Sequence, residues 1–474
     1  MNLSVLSSGS SKKRTRVLFL AWGFSIHAKR RIQIFVDDPS FEVAVASTFR
    51  YDFDNAMIVS LSGAVGRNNI FRCNLQSAKD RSAEKISSQQ TGHIPKALSA
   101  IRDLPGLVRF LGRGRRLLRE IFLSEEKSGA PGSETSKKAP LLPGLRHEIV
   151  RAYRDCRILE NTVKNFKPDI IFLQTLLYPC HLAFFLPETI PLMITFWNGD
   201  LTWWAQWSGI ERRFKRALVT YGLGRAQAIT VNSASALNAC LQYGAREEKI
   251  SLIRYPGVDL ERFRPLEKSE AKRQLRIGFE KVVLLPRGLG EYLNSDIIIE
   301  AIPIVIRKYP STLFLFLSGN GKEQEWGKHL QRAKQLGAEK NVRWDGEVAW
   351  ERMGLYYNAS DVMVSISSND SLPNCMLEAM ACGTTIIMGD IPSIREWVTD
   401  GVNGFLVPPR DGVSLSAKII RAFDSPEDMV MSFIQKNLEL ARGVFDSRQN
   451  SQEIKKQVHQ VAGYPGGRSP AMRS

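Results

Sequence analysis

Short apolar runs alternate with longer amphipathic stretches along most of this chain, and that alternation narrows the fold more than any other feature. A short run with no polar alternation suits a strand buried on both faces, and the amphipathic stretch after it suits a crossover helix. Repeated many times, the pattern predicts α/β architecture with parallel sheets. In the first half it predicts strands at 17–22, 42–47, 169–174, 191–197 and 227–232. The second half begins near Leu260, with strands expected at 281–286, 312–317, 341–344, 361–366, 384–388 and 405–407. Residues 427–461 read as helical and polar, and no internal repeat is present.

The densest chemistry follows the run Asp361–Ser367. There Asp370-Ser-Leu-Pro-Asn-Cys-Met-Leu-Glu378 sets two carboxylates eight positions apart. Pro373 suits the first position of a helix, where its missing N–H would have had no partner, and Gly383 suits the left-handed C-terminus. The backbone N–H groups of the turn Ser371, Leu372, Pro373 and Asn374, of which Pro373 itself has none, then lie at a helix N-terminus, a ready site for an anion. Glu378 lies one turn further on. A phosphate on backbone amides, flanked by carboxylates that accept from sugar hydroxyls, describes a nucleotide-sugar site.

The block Ser365–Pro409 resembles the signature of the retaining glycosyltransferases of family 4, the group 1 transferases. That family's motif is Glu-x7-Glu, a small-residue helix, a buried strand, an Arg-Glu pair and Asn-Gly-Phe-Leu-Val; here the first Glu is replaced by Asp370. Tyr255-Pro-Gly-Val-Asp259 with Phe263 and Pro265 is similar to the family's interdomain segment, and Ala228–Ser233 to the strand before it. The resemblance is strong over 250–410 and loose over 17–250. It implies a GT-B fold, two Rossmann-like domains facing each other across a cleft. The expected division is a basic flexible leader over 1–16 and an acceptor-binding domain over 17–260, with a flexible insertion near 124–146. A donor-binding domain over 261–440, a helix over 441–462 crossing back to the first domain, and a disordered tail over 463–474 complete it.

The same resemblance implies roles. Arg287, at the carboxyl edge of a buried strand where open sheets bind ligands, falls where the family has a diphosphate-binding Arg; a surface ion pair is the plainer reading. The family's Lys five residues later is here Tyr292, which can hydrogen-bond a phosphate but cannot neutralise it. Gly319-Asn-Gly321 matches a glycine loop near the nucleotide, and simple turn chemistry also accounts for it. Glu378 would accept from ribose hydroxyls and Asp370 from the donor sugar. On the acceptor side stand Gly23 and His27 after the first strand, and Trp197 and Asp200 in Thr195-Phe-Trp-Asn-Gly-Asp200. Trp197 occupies a place where many relatives carry His. For His27 an ordinary surface role, and for Asp200 a helix cap, compete with ligand contact. Trp203, Trp204 and Trp207 suit sugar stacking, a membrane interface or core packing.

Charge adds a question about partners. The chain carries 65 Lys and Arg against 48 Asp and Glu, a formal charge of +17, which favours nucleic acid, anionic lipid or anionic substrates. No zinc-finger, KH or RRM signature accompanies it, so nucleic acid is disfavoured. Within 96–119, Lys96, Arg102, Arg109, Arg113, Arg115, Arg116 and Arg119 interleave with Leu104, Leu107, Val108, Phe110, Leu111, Leu117 and Leu118. That stretch fits a helix at an anionic membrane surface and equally a packed surface helix. Six cysteines lack metal-ligand spacing and read as reduced thiols of a cytosolic protein. Asp52-Phe-Asp54 is dismissed as a metal motif, and no metal or cofactor is expected. Residues 170–187, broken by Pro179, His181 and Pro187, read as strand, turn and helix rather than a membrane span.

The sequence therefore predicts a metal-independent retaining hexosyltransferase. It would use a nucleotide sugar as substrate, a UDP-sugar by expectation, and a glycan or lipid-linked acceptor in cell-surface polysaccharide biosynthesis. The expected location is cytoplasmic, peripheral on the membrane face. Two rivals stay open: a weak or inactive GT-B scaffold, motivated by Tyr292 and Asp370, and a nucleic-acid binder, motivated by charge alone.

Overall fold

A computed structural model describes residues 14–22, 26–48, 51–61, 145–177, 179–196, 201, 209–317 and 322–463. Most of the leader, the basic stretch 96–119, the insertion up to residue 144, Trp203, Trp204, Trp207 and the tail after residue 463 lie outside the described residues. The chain divides into two units. The first takes the described residues up to Thr230, Ala239–Ser251 and the chain from Lys455; the second takes Val231–Asn238 and Leu252–Ile454.

Each unit is built on a sheet whose strands are the apolar runs of the sequence. The first sheet runs β3-β2-β1-β4-β5-β6-β7, with β1 Thr15–Ala21, β2 Phe41–Ser47, β3 Ala56–Ser60, β4 Ile170–Leu173, β5 Leu192–Thr195, β6 Ala228–Val231 and β7 Ile250–Leu252. The second runs β10-β9-β8-β11-β12-β13, with β8 Lys281–Leu285, β9 Thr312–Phe316, β10 Val342–Trp344, β11 Val362–Ser365, β12 Thr385–Gly389 and β13 Phe405–Val407. Every adjacent pair of the second sheet is parallel. β3 and β7 were not anticipated. Both are edge strands, and their half-exposed residues lack the two-sided burial that makes an inner strand readable.

The two faces of the second sheet separate cleanly because successive strand residues point to opposite sides. Val282, Leu284, Leu313, Leu315, Met363 and Ile386 pack on one side with the helix Asn374–Cys382. Val283, Leu285, Phe314, Phe316, Val364 and Ile387 pack on the other with the helices Ser295–Lys308 and Gly412–Asp424. The polar region 427–461 forms two helices, Glu427–Gly443 and Ser447–Ala462, with Val444–Asp446 between them. In the first unit the end of the latter helix touches the sheet. Lys455 Nζ lies 2.8 Å from Asp38, Thr15 Oγ1 is 2.9 Å from His459 Nδ1, and the His459 ring stacks on Phe41.

Glycine is demanded at the close approach of β11 and β12. A Cβ on Gly389 would stand 2.8 Å from the Ser367 carbonyl oxygen, against backbone that has nowhere to retreat. Gly389→Ala is expected to cost about 2 kcal/mol, read as a lower denaturant midpoint for the second unit. In the first unit, burial acts to raise Asp38, but hydrogen bonds from Lys455 and Ser40 outweigh it and hold the carboxyl at about 2. A depressed acid stabilises the fold above its ordinary range and loses that contribution as pH falls through the folded value. Acid titration from pH 5 towards 2 should therefore release about 1 kcal/mol, after discounting for solvent screening, and Asp38→Asn should remove that pH-dependent part.

Candidate active site

Parallel strands end on the same edge of a sheet, so the loops after β8, β11 and β12 converge. The register pairs Val362 with Val283 and with Thr385, which brings Arg287, two residues past β8, beside Asp370, five past β11. The Arg287 guanidinium forms an ion pair with the Asp370 carboxylate through Nη1, which also donates to Ser367 Oγ at 3.3 Å. Asp370 is held further by Ser367 Oγ at 3.1 Å and by the Ser371 amide at 3.0 Å, while Ser393 Oγ donates to its carbonyl at 2.7 Å. Both site residues are partly buried, so the pair is less screened than a surface ion pair. The guanidinium carries five N–H donors in all, so holding Asp370 does not exhaust it.

The helix Asn374–Cys382 starts where the sequence places it, with two local differences. Pro373 is the N-cap residue, not the first helical one; its φ of −68° and ψ of 125° are extended, and its carbonyl accepts from Met376 and Leu377. The Ser371 amide points at Asp370 rather than outward. The Asn374 and Cys375 amides, which precede the first intrahelical bond, are the ones the helix itself does not use. Gly383 ends the helix in the left-handed region with φ +74°. Burial pushes the Cys375 and Cys382 thiols up, so both stay neutral at ordinary pH.

Glu378 is 7% exposed and has a hydrogen-bond donor on each oxygen: Trp350 Nε1 on Oε1 at 3.2 Å and the Tyr357 hydroxyl on Oε2 at 2.8 Å. Burial, with Glu378 beside it, drives the Tyr357 phenol well above its ordinary range, so it remains a donor. Ser371, which is buried, gives its hydroxyl to Asn232 Oδ1 at 2.5 Å and shares 2.9 Å with Ser233 Oγ. Leu372 is buried at the same turn.

Tyr292 sits in the turn Glu291–Leu293, 39% exposed, and its carbonyl accepts from the Ser368 amide at 2.9 Å. Next to it, Asn294 is fully buried at φ +55° and donates to the Ile366 carbonyl at 2.6 Å and to Ser368 Oγ at 3.0 Å. Those bonds tie the loop that carries Arg287 to the loop that carries Asp370. Gly319, Gly321, Gly23, Trp197 and Asp200 lie outside the described residues, as does the side chain of His27, whose backbone is on the helix Ile26–Val36. Trp350, Tyr357, Asn294, Asn232 and Ser233 were not singled out from the sequence as site residues. No spacing rule links them to Glu378 or Asp370, because the contacts arise only after folding.

A sequence model described as "Glycosyl transferases group 1" matches residues 280–425, and one described as "Glycosyltransferase Family 4" matches 115–262. Together they span well over half of the chain. The chain belongs to the group 1 glycosyltransferases of family 4. Relatives include the D-inositol 3-phosphate glycosyltransferase of Geodermatophilus obscurus, 31% identical over 42% of this chain and 45% of that protein. The enzyme of the same name from Kribbella flavida is 30% identical over 35% and 41%. The chain thus spans under half the length of these relatives. Among solved structures, Anabaena HepE in complex with UDP-glucose superimposes with a TM-score of 0.63 at 17% identity, covering 94% of this chain and all of that one. Sucrose-phosphate synthase of Thermosynechococcus elongatus gives 0.64 at 14%, covering 94% and 99%. These likenesses establish the GT-B fold of the group 1 glycosyltransferases.

In this family member the guanidinium of Arg287 is paired with the motif carboxylate of Asp370. Arg287→Met should lower affinity for a nucleoside diphosphate at least about tenfold, the scale of a lost charge-assisted hydrogen bond. Calorimetric titration with UDP, GDP and ADP measures it.

Proposed function

We propose that the protein transfers a sugar, with retention of anomeric configuration, from a nucleotide sugar to an acceptor hydroxyl. The observation that carries this is the Arg287–Asp370 ion pair at one sheet edge, just before the N-terminus of the helix Asn374–Cys382, which carries the buried carboxylate Glu378. Departure of a nucleoside diphosphate leaves developing negative charge that a guanidinium and backbone amides stabilise. In the reaction, the acceptor oxygen bonds to the anomeric carbon, the bond from that carbon to phosphate breaks, and the hydroxyl proton passes to the departing phosphate. No protein nucleophile is needed.

UDP is the proposed nucleotide, supported by the complexes of Anabaena HepE, with which this chain shares a fold. A polyol or glycan hydroxyl is the proposed acceptor class, supported by the relatives named for inositol phosphate. Use of that acceptor in cell-surface polysaccharide assembly remains the reading of the sequence resemblance. Tyr292 favours one other reading, a weak transferase or nucleotide-binding scaffold, because a phenol cannot neutralise phosphate.

A calorimetric screen of UDP-, GDP-, ADP- and dTDP-sugars against wild type and Glu378→Ala tests the proposal. Binding of one donor, lost in the variant, is the expected result; folded protein that binds none overturns it. Turnover in wild type that Tyr292→Lys fails to improve removes the weak-transferase reading.

A further inference from the structure

Glu378 sits between two aromatic donors, and both are braced by one segment of chain. Trp350 begins the turn Trp350–Arg352 and donates its indole N–H to Oε1; Tyr357, fully buried, donates to Oε2. Phe263 packs against both rings, with centroids 5.8 Å from Trp350 and 6.0 Å from Tyr357. The Arg262 guanidinium lies over the Trp350 ring, 4.0 Å from its centroid, and is held beside Asp259 and Glu351. All of these residues belong to the second unit.

Two donors at right places on one carboxylate have a specific consequence. A carboxylate can accept more than one hydrogen bond on each oxygen, and two fixed donors set the plane of the group, so its lone pairs have a defined direction. Burial of a carboxylate without donors would favour its neutral form, which is a poor acceptor for a diol. The N–H and O–H of this pair act against that. A cation over the indole face draws electron density from the ring and strengthens the N–H as a donor.

We propose that Trp350, stacked under Arg262, is a positioning residue that sets the Glu378 carboxylate to accept from the two hydroxyls of the donor's ribose. The inference rests on the nucleotide-sugar reading of this site. It assigns to the Trp350 and Arg262 pair a share of the discrimination between ribo- and deoxyribonucleotides, and none in the transfer chemistry itself.

The test compares binding of UDP with 2′-deoxy-UDP and 3′-deoxy-UDP to wild type, Glu378→Gln, Trp350→Phe and Arg262→Met, by calorimetry, with thermal melting of each protein. Wild type should prefer UDP over either deoxy form by about tenfold or more, and Glu378→Gln should abolish the preference. Trp350→Phe keeps the ring and its stacking but loses the N–H; it should weaken UDP binding while leaving the deoxy forms nearly unaffected. Arg262→Met should do the same to a smaller degree, and it decides the matter if Trp350→Phe does not fold. An equal loss for all three ligands in either variant, or unchanged preference, overturns the positioning role while leaving the site reading intact. Wild type and Glu378→Gln that both lack any preference overturn the ribose assignment of the site itself, and the positioning role with it.

Discussion

Parallel pairing of β11 between β8 and β12 is the constraint from which the candidate site follows. Because neighbouring strands run the same way, their carboxyl ends share one edge, and the residues that leave those ends meet however far apart they lie in sequence. Arg287 and Asp370 are separated by 83 positions and form an ion pair. Ser367 and Gly389, at the same edge, approach so closely that a side chain at Gly389 is excluded. Packing on both faces of this sheet keeps the edge rigid, since Leu284 and Met363 face one core and Leu285 and Val364 the other.

The site combines a polarised pair with a second carboxylate kept apart from it. Arg287 forms an ion pair with Asp370, and Ser367 Oγ and the Ser371 amide also donate to that carboxylate. Glu378 accepts from two neutral donors, Trp350 on Oε1 and Tyr357 on Oε2. Asn294 joins the two loops that carry the Arg287–Asp370 pair, so displacement of one loop would be felt by the other.

Legibility from sequence varied with how local the cause was. The inner strands were readable because two-sided burial requires an unbroken apolar run. The helix Asn374–Cys382 was readable because proline and glycine punctuate it, although Pro373 proved to be the cap and not the first helical residue. Edge strands β3 and β7 escaped, being half-exposed and short of pattern. Arg287, Asp370 and Glu378 were readable as candidates through their place after or beside buried strands and through the family motif. Their partners Trp350, Tyr357, Asn232 and Ser233 were not, because an aromatic or small polar residue carries no sign of what it will touch.

By itself the sequence determined the α/β class, the strands of both sheet interiors, the punctuated helix and the motif that places the chain among the group 1 glycosyltransferases. These follow from local physics: burial periodicity, backbone preference at Pro373 and Gly383, and residue types at fixed spacing. Tertiary structure alone decided that Arg287 binds Asp370, that the Ser371 amide is turned inward, and that Glu378 lies bracketed by Trp350 and Tyr357 with Arg262 over the indole. Apart from the Ser371 amide, which turns within its own loop, those contacts join residues distant in sequence, and only folding brings them together.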